Sequence, residues 1–127
     1  MQDKLILLID DDVIIRQTVK RYLKRQGYEV KTLSNGFKIL LLARHLKPDL
    51  IISNFLIPKL DGIKLLRGLR NSSRTRHIPV ILISAINNEV LQEKARKLGA
   101  ACLLSKPFPL NDLDKAVEMA LGGASPQ

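Results

Sequence analysis

Five short aliphatic runs, each followed by residues whose apolar members recur at helical spacing, restrict this chain more than any other feature of it. Leu5–Ile9, Leu50–Ser53 and Val80–Ile83 show almost no polar alternation, the pattern of strands covered on both faces. Tyr28–Leu33 and Ala101–Ser105 read as two further strands. Behind the first run, Ile15, Val19, Tyr22 and Leu23 fall at i, i+4, i+7 and i+8, and Gly27 can close that helix. A turn at Ser34-Asn35-Gly36 opens a second helix to about Lys47, stopped by Pro48. A third helix is expected from Asp61 to about Arg70 and a fourth over Asn88–Leu98, with Gly99 behind it. The last puts Leu113, Val117, Ala120 and Leu121 on one face and ends at Gly122-Gly123. Strand and helix in five successive alternations imply an α/β fold, a parallel sheet with helices on both faces. Right-handed crossovers and short connections leave few ways to wind it.

A chain of 127 residues is one domain's worth. Aromatic residues are 4% and Trp is absent, so aliphatic side chains must fill the interior. Apolar stretches such as Leu5–Ile9 and Ile39–Ala43 are far shorter than the roughly 20 residues of a membrane helix. Acids at positions 10–12 interrupt the start where a secretory signal would stay apolar. Cys102 is the single cysteine, which excludes an internal disulfide and a clustered-thiolate metal site. The expectation is a cytoplasmic domain over residues 1–122, with 123–127 as a tail or truncated linker, and no membrane contact.

Lys and Arg number 21 against 12 Asp and Glu, a formal net charge of +9. The excess is uneven. From Val13 to Pro48 the only acid is Glu29, and Lys64–His77 is acid-free with Arg67, Arg70, Arg74 and Arg76. Such asymmetry suits an acidic partner, although solvated helix faces produce it too. No aromatic residues interleave with the bases and no helix-turn-helix is visible, so direct nucleic-acid contact is not expected.

In open α/β sheets, ligands bind beyond the carboxyl ends of the strands. The residues just past the runs are Asp10, Asp11 and Asp12 after the first, Asn54 after the third, Ser84 after the fourth and Lys106 after the fifth. Paired carboxylates with an amide oxygen suit Mg²⁺. A hydroxyl and an ammonium opposite them suit phosphate oxygens. Singly each has an ordinary explanation: acids before a helix cap it, and a Ser or Lys after a strand belongs to a turn. Their joint spacing describes a phosphate–magnesium pocket.

With LILLIDDD at the first strand, PDLIISNFLIPKLDG across the third, IPVILISA at the fourth and LGAACLLSKPF at the fifth, the chain resembles a response-regulator receiver domain over nearly its whole length. The resemblance implies a flavodoxin-like (βα)₅ fold with strand order 2-1-3-4-5, and a cis Lys106–Pro107 bond. In such domains a strand-three aspartate is phosphorylated by a histidine kinase or phosphotransfer protein, and the matching position here is Asn54. Asp10 and Asp11 match the acid pair that holds Mg²⁺, helped by the Leu56 carbonyl. Ser84 matches the hydroxyl that follows the phosphoryl group and Lys106 the ammonium that pairs with it. Leu103 falls where the family has a switch aromatic.

A carboxylate attacks phosphorus to give an acyl phosphate; a carboxamide, neutral and with its nitrogen lone pair delocalised, does not. Asn54 also removes a negative charge from a carboxylate cluster, which should steady the metal-free fold, weaken any Mg²⁺ site and let Lys106 pair with a strand-one carboxylate. The expected function is therefore an atypical, phosphorylation-independent receiver acting as an interaction module and not an enzyme, requiring no cofactor. Family precedent puts kinase-type partners on the first helix, and output domains or homodimers on helix four, strand five and helix five. Two other readings remain at this level. One is an ordinary receiver carrying an engineered Asp→Asn at position 54. The other is a small Mg²⁺-dependent phosphatase using the Asp-x-Asp of Asp10–Asp12.

Overall fold

The computed structural model describes residues 3–56, 60–86 and 88–122. Along the chain it runs β1 (Leu5–Ile9), α1 (Val13–Arg25), β2 (Glu29–Leu33), α2 (Ile39–Leu46), β3 (Leu50–Asn54), α3 (Gly62–Arg70), β4 (Val80–Ser84), α4 (Glu89–Lys97), β5 (Cys102–Ser105) and α5 (Leu110–Ala120). The strands form one sheet in the order β2-β1-β3-β4-β5, and every neighbouring pair is parallel. The flavodoxin-like doubly wound fold expected from the sequence is the fold observed. The 1–122 domain falls almost wholly within the described residues, whereas the tail at 123–127 lies outside them.

Side-chain alternation along the strands divides the interior into two layers. Leu7, Ile9, Ile51, Val80 and Leu82 pack with Ile39, Ala43, Leu65, Leu66, Leu69 and Ala95, which places α2, α3 and α4 on one face. Ile6, Leu8, Leu50, Ile52, Ile81 and Ile83 pack with Val19, Leu23, Leu113 and Val117 of α1 and α5 on the other. Each such aliphatic side chain contributes about 1.5–3 kcal/mol on burial, so a sheet lined on both sides needs no aromatic core.

The local signals account for where the helices start and stop. Asp12 accepts from the backbone N–H of Ile14 and Ile15 at the head of α1, Asp61 from Lys64 at α3 and Asn88 from Leu91 at α4. Gly27 and Gly99 follow α1 and α4 in the left-handed conformation that glycine adopts without a Cβ penalty. The expected elements differ from the observed ones mainly at strand ends. Asn54 and Ser84, read from sequence as lying after their strands, are the last residues of β3 and β4, in register with Ile83 and Ser105. A polar side chain does not end a ladder whose backbone groups still find partners.

Candidate functional site

The first-strand acids divide into three roles at the carboxyl end of the sheet. Asp10 is 1% exposed, and both of its carboxylate oxygens are engaged. One accepts from the Asp12 N–H at 2.9 Å; the other lies 3.4 Å from the Lys106 ammonium. Asp12 is the α1 cap. Asp11 and Asp12 are both exposed at this turn, but only Asp12 caps the helix. The pairing of Lys106 with a strand-one carboxylate, expected from the charge removed at position 54, is present.

Asn54 ends β3 beside β1 and β4. Its Nδ2 donates to the Leu56 carbonyl at 2.9 Å, turning the side chain back onto its own loop. The same loop is tied on both sides: Phe55 N–H donates to the Ile83 carbonyl at 2.6 Å, and Gly62 N–H to the Phe55 carbonyl at 2.7 Å. Gly62 is required here because a Cβ would stand 2.8 Å from the Phe55 ring. Ser84 is buried at the end of β4, where its Oγ accepts from the Ile86 N–H at 3.0 Å, leaving the hydroxyl proton available. Its carbonyl accepts from Lys106 N–H at 2.8 Å, and the Lys106–Pro107 bond is cis, as the resemblance implied. Leu103 sits in β5 opposite Leu82, half-buried against the α2–α3–α4 layer. The sequence-derived residues Asp10, Asn54, Ser84 and Lys106 thus meet on one rim, while Leu103 lies one layer below it.

Arg16 was not singled out from sequence. Its Nη1 donates to the Asp10 carbonyl at 2.8 Å, adding a second cation beside Asp10. The readable signal was its place on α1, one turn beyond the cap at Asp12 and on the side facing back to β1.

Most oxygens that this rim could offer to a hard divalent cation are engaged within the chain. Among the described residues no three His, Cys, Asp or Glu side chains converge as metal ligands. Among the carboxylates of the acid turn, both Asp10 oxygens are engaged and Asp12 caps α1, while the Leu56 carbonyl accepts from Asn54. What remains is a rim able to hold an oxyanion through Lys106 and Ser84, with an amide where β3 ends. Attack by Asp10, as an Asp-x-Asp phosphatase would need, requires a buried carboxylate to leave two hydrogen-bond partners.

Beside Lys106 an apolar groove of about 530 Å³ runs between α1 and the β5–α5 turn, lined by Ile14, Ile15, Thr18, Pro107, Phe108 and Leu110. A second hollow of about 650 Å³ lies between α4 and β5, where Leu103, Ala100 and Glu93 contribute to its wall.

A five-stranded parallel sheet wound in this order, with an acid turn, a hydroxyl and a lysine gathered at its carboxyl rim, defines a doubly wound α/β domain whose ligand edge is the carboxyl end of the sheet. The chain belongs to the response regulator receiver domain family, whose model matches residues 6–118, and it is the receiver domain of a two-component response regulator. It is 37% identical over 110 residues to the DNA-binding dual master transcriptional regulator RpaA of Synechocystis, covering 85% of this chain and 45% of that protein. The chain therefore spans less than half the length of that relative. The chemotaxis protein CheY4 of Vibrio cholerae superposes with a TM-score of 0.87 at 28% identity, covering 94% of this chain and 99% of that one. The receiver domain of the sensor histidine kinase PA1611 from Pseudomonas aeruginosa, solved with magnesium coordinated in its active-site cleft, gives a TM-score of 0.85 at 25% identity, over 95% and 99% of the two chains. Among the described residues no helix is long and apolar enough to cross a membrane.

Proposed function

We propose that this receiver domain works without phosphorylation of its third strand, as a protein-interaction module and not an enzyme. One observation carries the reading: the residue closing β3 is Asn54, whose amide nitrogen donates to the Leu56 carbonyl. A nucleophilic carboxylate is what the chemistry demands at that place. Lys106 held at Asp10 and Arg16 held at the Asp10 carbonyl supply positive charge that a metal ion would otherwise bring. Mg²⁺ therefore binds weakly through Asp10, Asp11 and Asn54, if supplied in excess, and the fold does not require it. Leu103 lacks the ring and hydroxyl of an aromatic relay, which removes the readout together with the chemistry.

The partner surfaces follow from the same reading. The groove along α1 offers an apolar seat for a helical partner of the histidine-kinase or phosphotransfer type, with Ile14 exposed along it. Lys20, Arg21, Lys24 and Arg25 continue along the same helix, so an acidic partner should associate faster at low salt. The hollow between α4 and β5 is the place for an output domain or a second copy through α4, β5 and α5. A cytoplasmic location fits such partners.

Incubation with a small-molecule phosphodonor and Mg²⁺, read by intact mass, tests the proposal. The wild-type chain should gain no phosphoryl mass, and Asn54→Asp should gain one. An adduct mapped to residue 54 of the unaltered chain would end this reading.

A further inference from the structure

The parallel winding sends every helix C-terminus to the amino end of the sheet, and the bases follow. The last turns of α1, α2, α3 and α4 carry Lys24 and Arg25, Arg44 and His45, Arg67 and Arg70, and Lys94, Arg96 and Lys97. Complementing the negative ends of helix dipoles explains bases in those turns. It does not explain Arg74, Arg76 and His77, which stand in the loop beyond α3 and before β4. The two segments that build this part of the floor, 30–48 and 62–88, contain no acid at all.

Arg70 is used by the fold. Its guanidinium donates to the carbonyls of Arg76, Ile78 and Gly99, which pins the α3–β4 loop in place, and burial lowers its pKa. Arg44, Arg67, Arg74 and Arg76 are exposed, and among the described residues their side chains have neither an ion pair nor a hydrogen bond. Between α2 and α3 the floor has a notch of about 160 Å³ where Arg44 meets Asn71 and Ser72. The Ser72 hydroxyl accepts from the Arg74 N–H at 3.3 Å, which leaves its own proton to donate outward. Gly68 lets Leu40 close the back of the notch, since a Cβ there would come within 2.7 Å of Leu40.

The character of the surface selects the partner. A protein interface is anchored by apolar or aromatic side chains at its centre. Among the described residues the exposed large hydrophobics are Val13, Ile14, Phe37, Leu41, Leu56, Ile86, Val90, Leu110 and Met119; Leu41 stands in the first turn of α2 and Met119 in the last turn of α5, and none lies in the α3–β4 loop or the last turns of α2 and α3. Arginine forks without apolar anchors suit phosphate oxygens, which need charge and donors alone. We propose that the α2–α3 floor, Arg44, Arg67, Arg74 and Arg76 around the Asn71–Ser72 notch, docks the phosphodiester backbone of double-stranded nucleic acid without reading its sequence. It departs from the sequence-based expectation that nucleic acid is not contacted directly. It is independent of whether Asn54 accepts a phosphoryl group.

The test is fluorescence anisotropy of the whole chain with a labelled mixed-sequence DNA duplex across a salt series. Binding should weaken with salt at a log–log slope of about −0.9 per phosphate neutralised, and be indifferent to sequence. Arg67→Glu/Arg74→Glu/Arg76→Glu should lose at least tenfold in affinity, whereas Lys20→Glu/Lys24→Glu on α1 should lose much less. Far-ultraviolet circular dichroism of the floor variant should match the parent, since the three side chains are exposed; if it does not, Arg74→Gln alone, which keeps the fold, must still weaken binding. Failure of the duplex to bind at low salt overturns the proposal. So does equal or tighter binding to polyglutamate or to phosphatidylglycerol-containing vesicles, or a floor variant that binds like the parent.

Discussion

The two ends of the sheet carry opposite chemistry. At the carboxyl rim, acids cap helices and the polar groups of the pocket are matched within the chain: Asp10 with Lys106 and the Asp12 amide, Asn54 with Leu56, Ser84 with Ile86. At the amino rim Arg70 is matched to three carbonyls and Arg96 to Glu93, while the side chains of Arg44, Arg67, Arg74 and Arg76 face solvent without a partner among the described residues. Parallel winding alone sorts helix starts from helix ends, and with them acids from bases. The difference teaches that a receiver fold can keep the outline of its pocket while the groups inside it satisfy one another, and hold its surplus charge at the opposite pole.

The sharpest way to break the contrast is to restore a carboxylate at the quiet end. Asn54→Asp should turn phosphodonor reactivity from absent to stoichiometric by intact mass, because Lys106, Ser84 and the acid turn are already in place. The same variant sharpens the comparison through metal. Without Mg²⁺ it should be less stable than the parent by about 1 kcal/mol, from repulsion among carboxylates in a partly desolvated rim. Thermal melts with Mg²⁺ should then raise it by about 2.7 kcal/mol at a hundredfold excess over its dissociation constant, and shift the parent far less. At the other pole, Arg70→Ala should cost about 2–3 kcal/mol in urea unfolding, since three carbonyls lose charge-assisted donors. Lys106→Met should cost less, about 1–2 kcal/mol, because Asp10 keeps the Asp12 amide when the long 3.4 Å contact is lost. Smallest is the cap: Asp12→Ala should lower stability by about 1 kcal/mol, while Asp11→Ala beside it should change little.

Much of this was legible before any coordinates. Strands buried on both faces announce themselves as unbroken aliphatic runs, and glycine, proline and capping residues punctuate the helices, so the order of elements could be read from Leu5 to Leu121. The rim was legible because parallel winding brings every strand end to one edge. What could not be read joins distant positions. The Asp49 carboxylate accepting from Leu5 N–H spans 44 residues, and the Arg70 donation to Gly99 spans 29. No local pattern encodes a partner so far along the chain. Asn54 and Ser84 were placed past their strands because polarity suggests a loop, whereas the backbone ladder decides. Leu103 could be recognised as aliphatic packing, and that is where it lies, but its orientation toward the α4 side depends on the parity of β5 alone.

The ring of Phe55 over Gly62 carries a consequence for how this domain could drift. Replacing that glycine by even the smallest chiral residue would evict the ring, and with it the two backbone bonds that lace the stretch after the third strand. Position 62 is therefore coupled to residue 54 through the same short stretch, and a change at either is felt at the other.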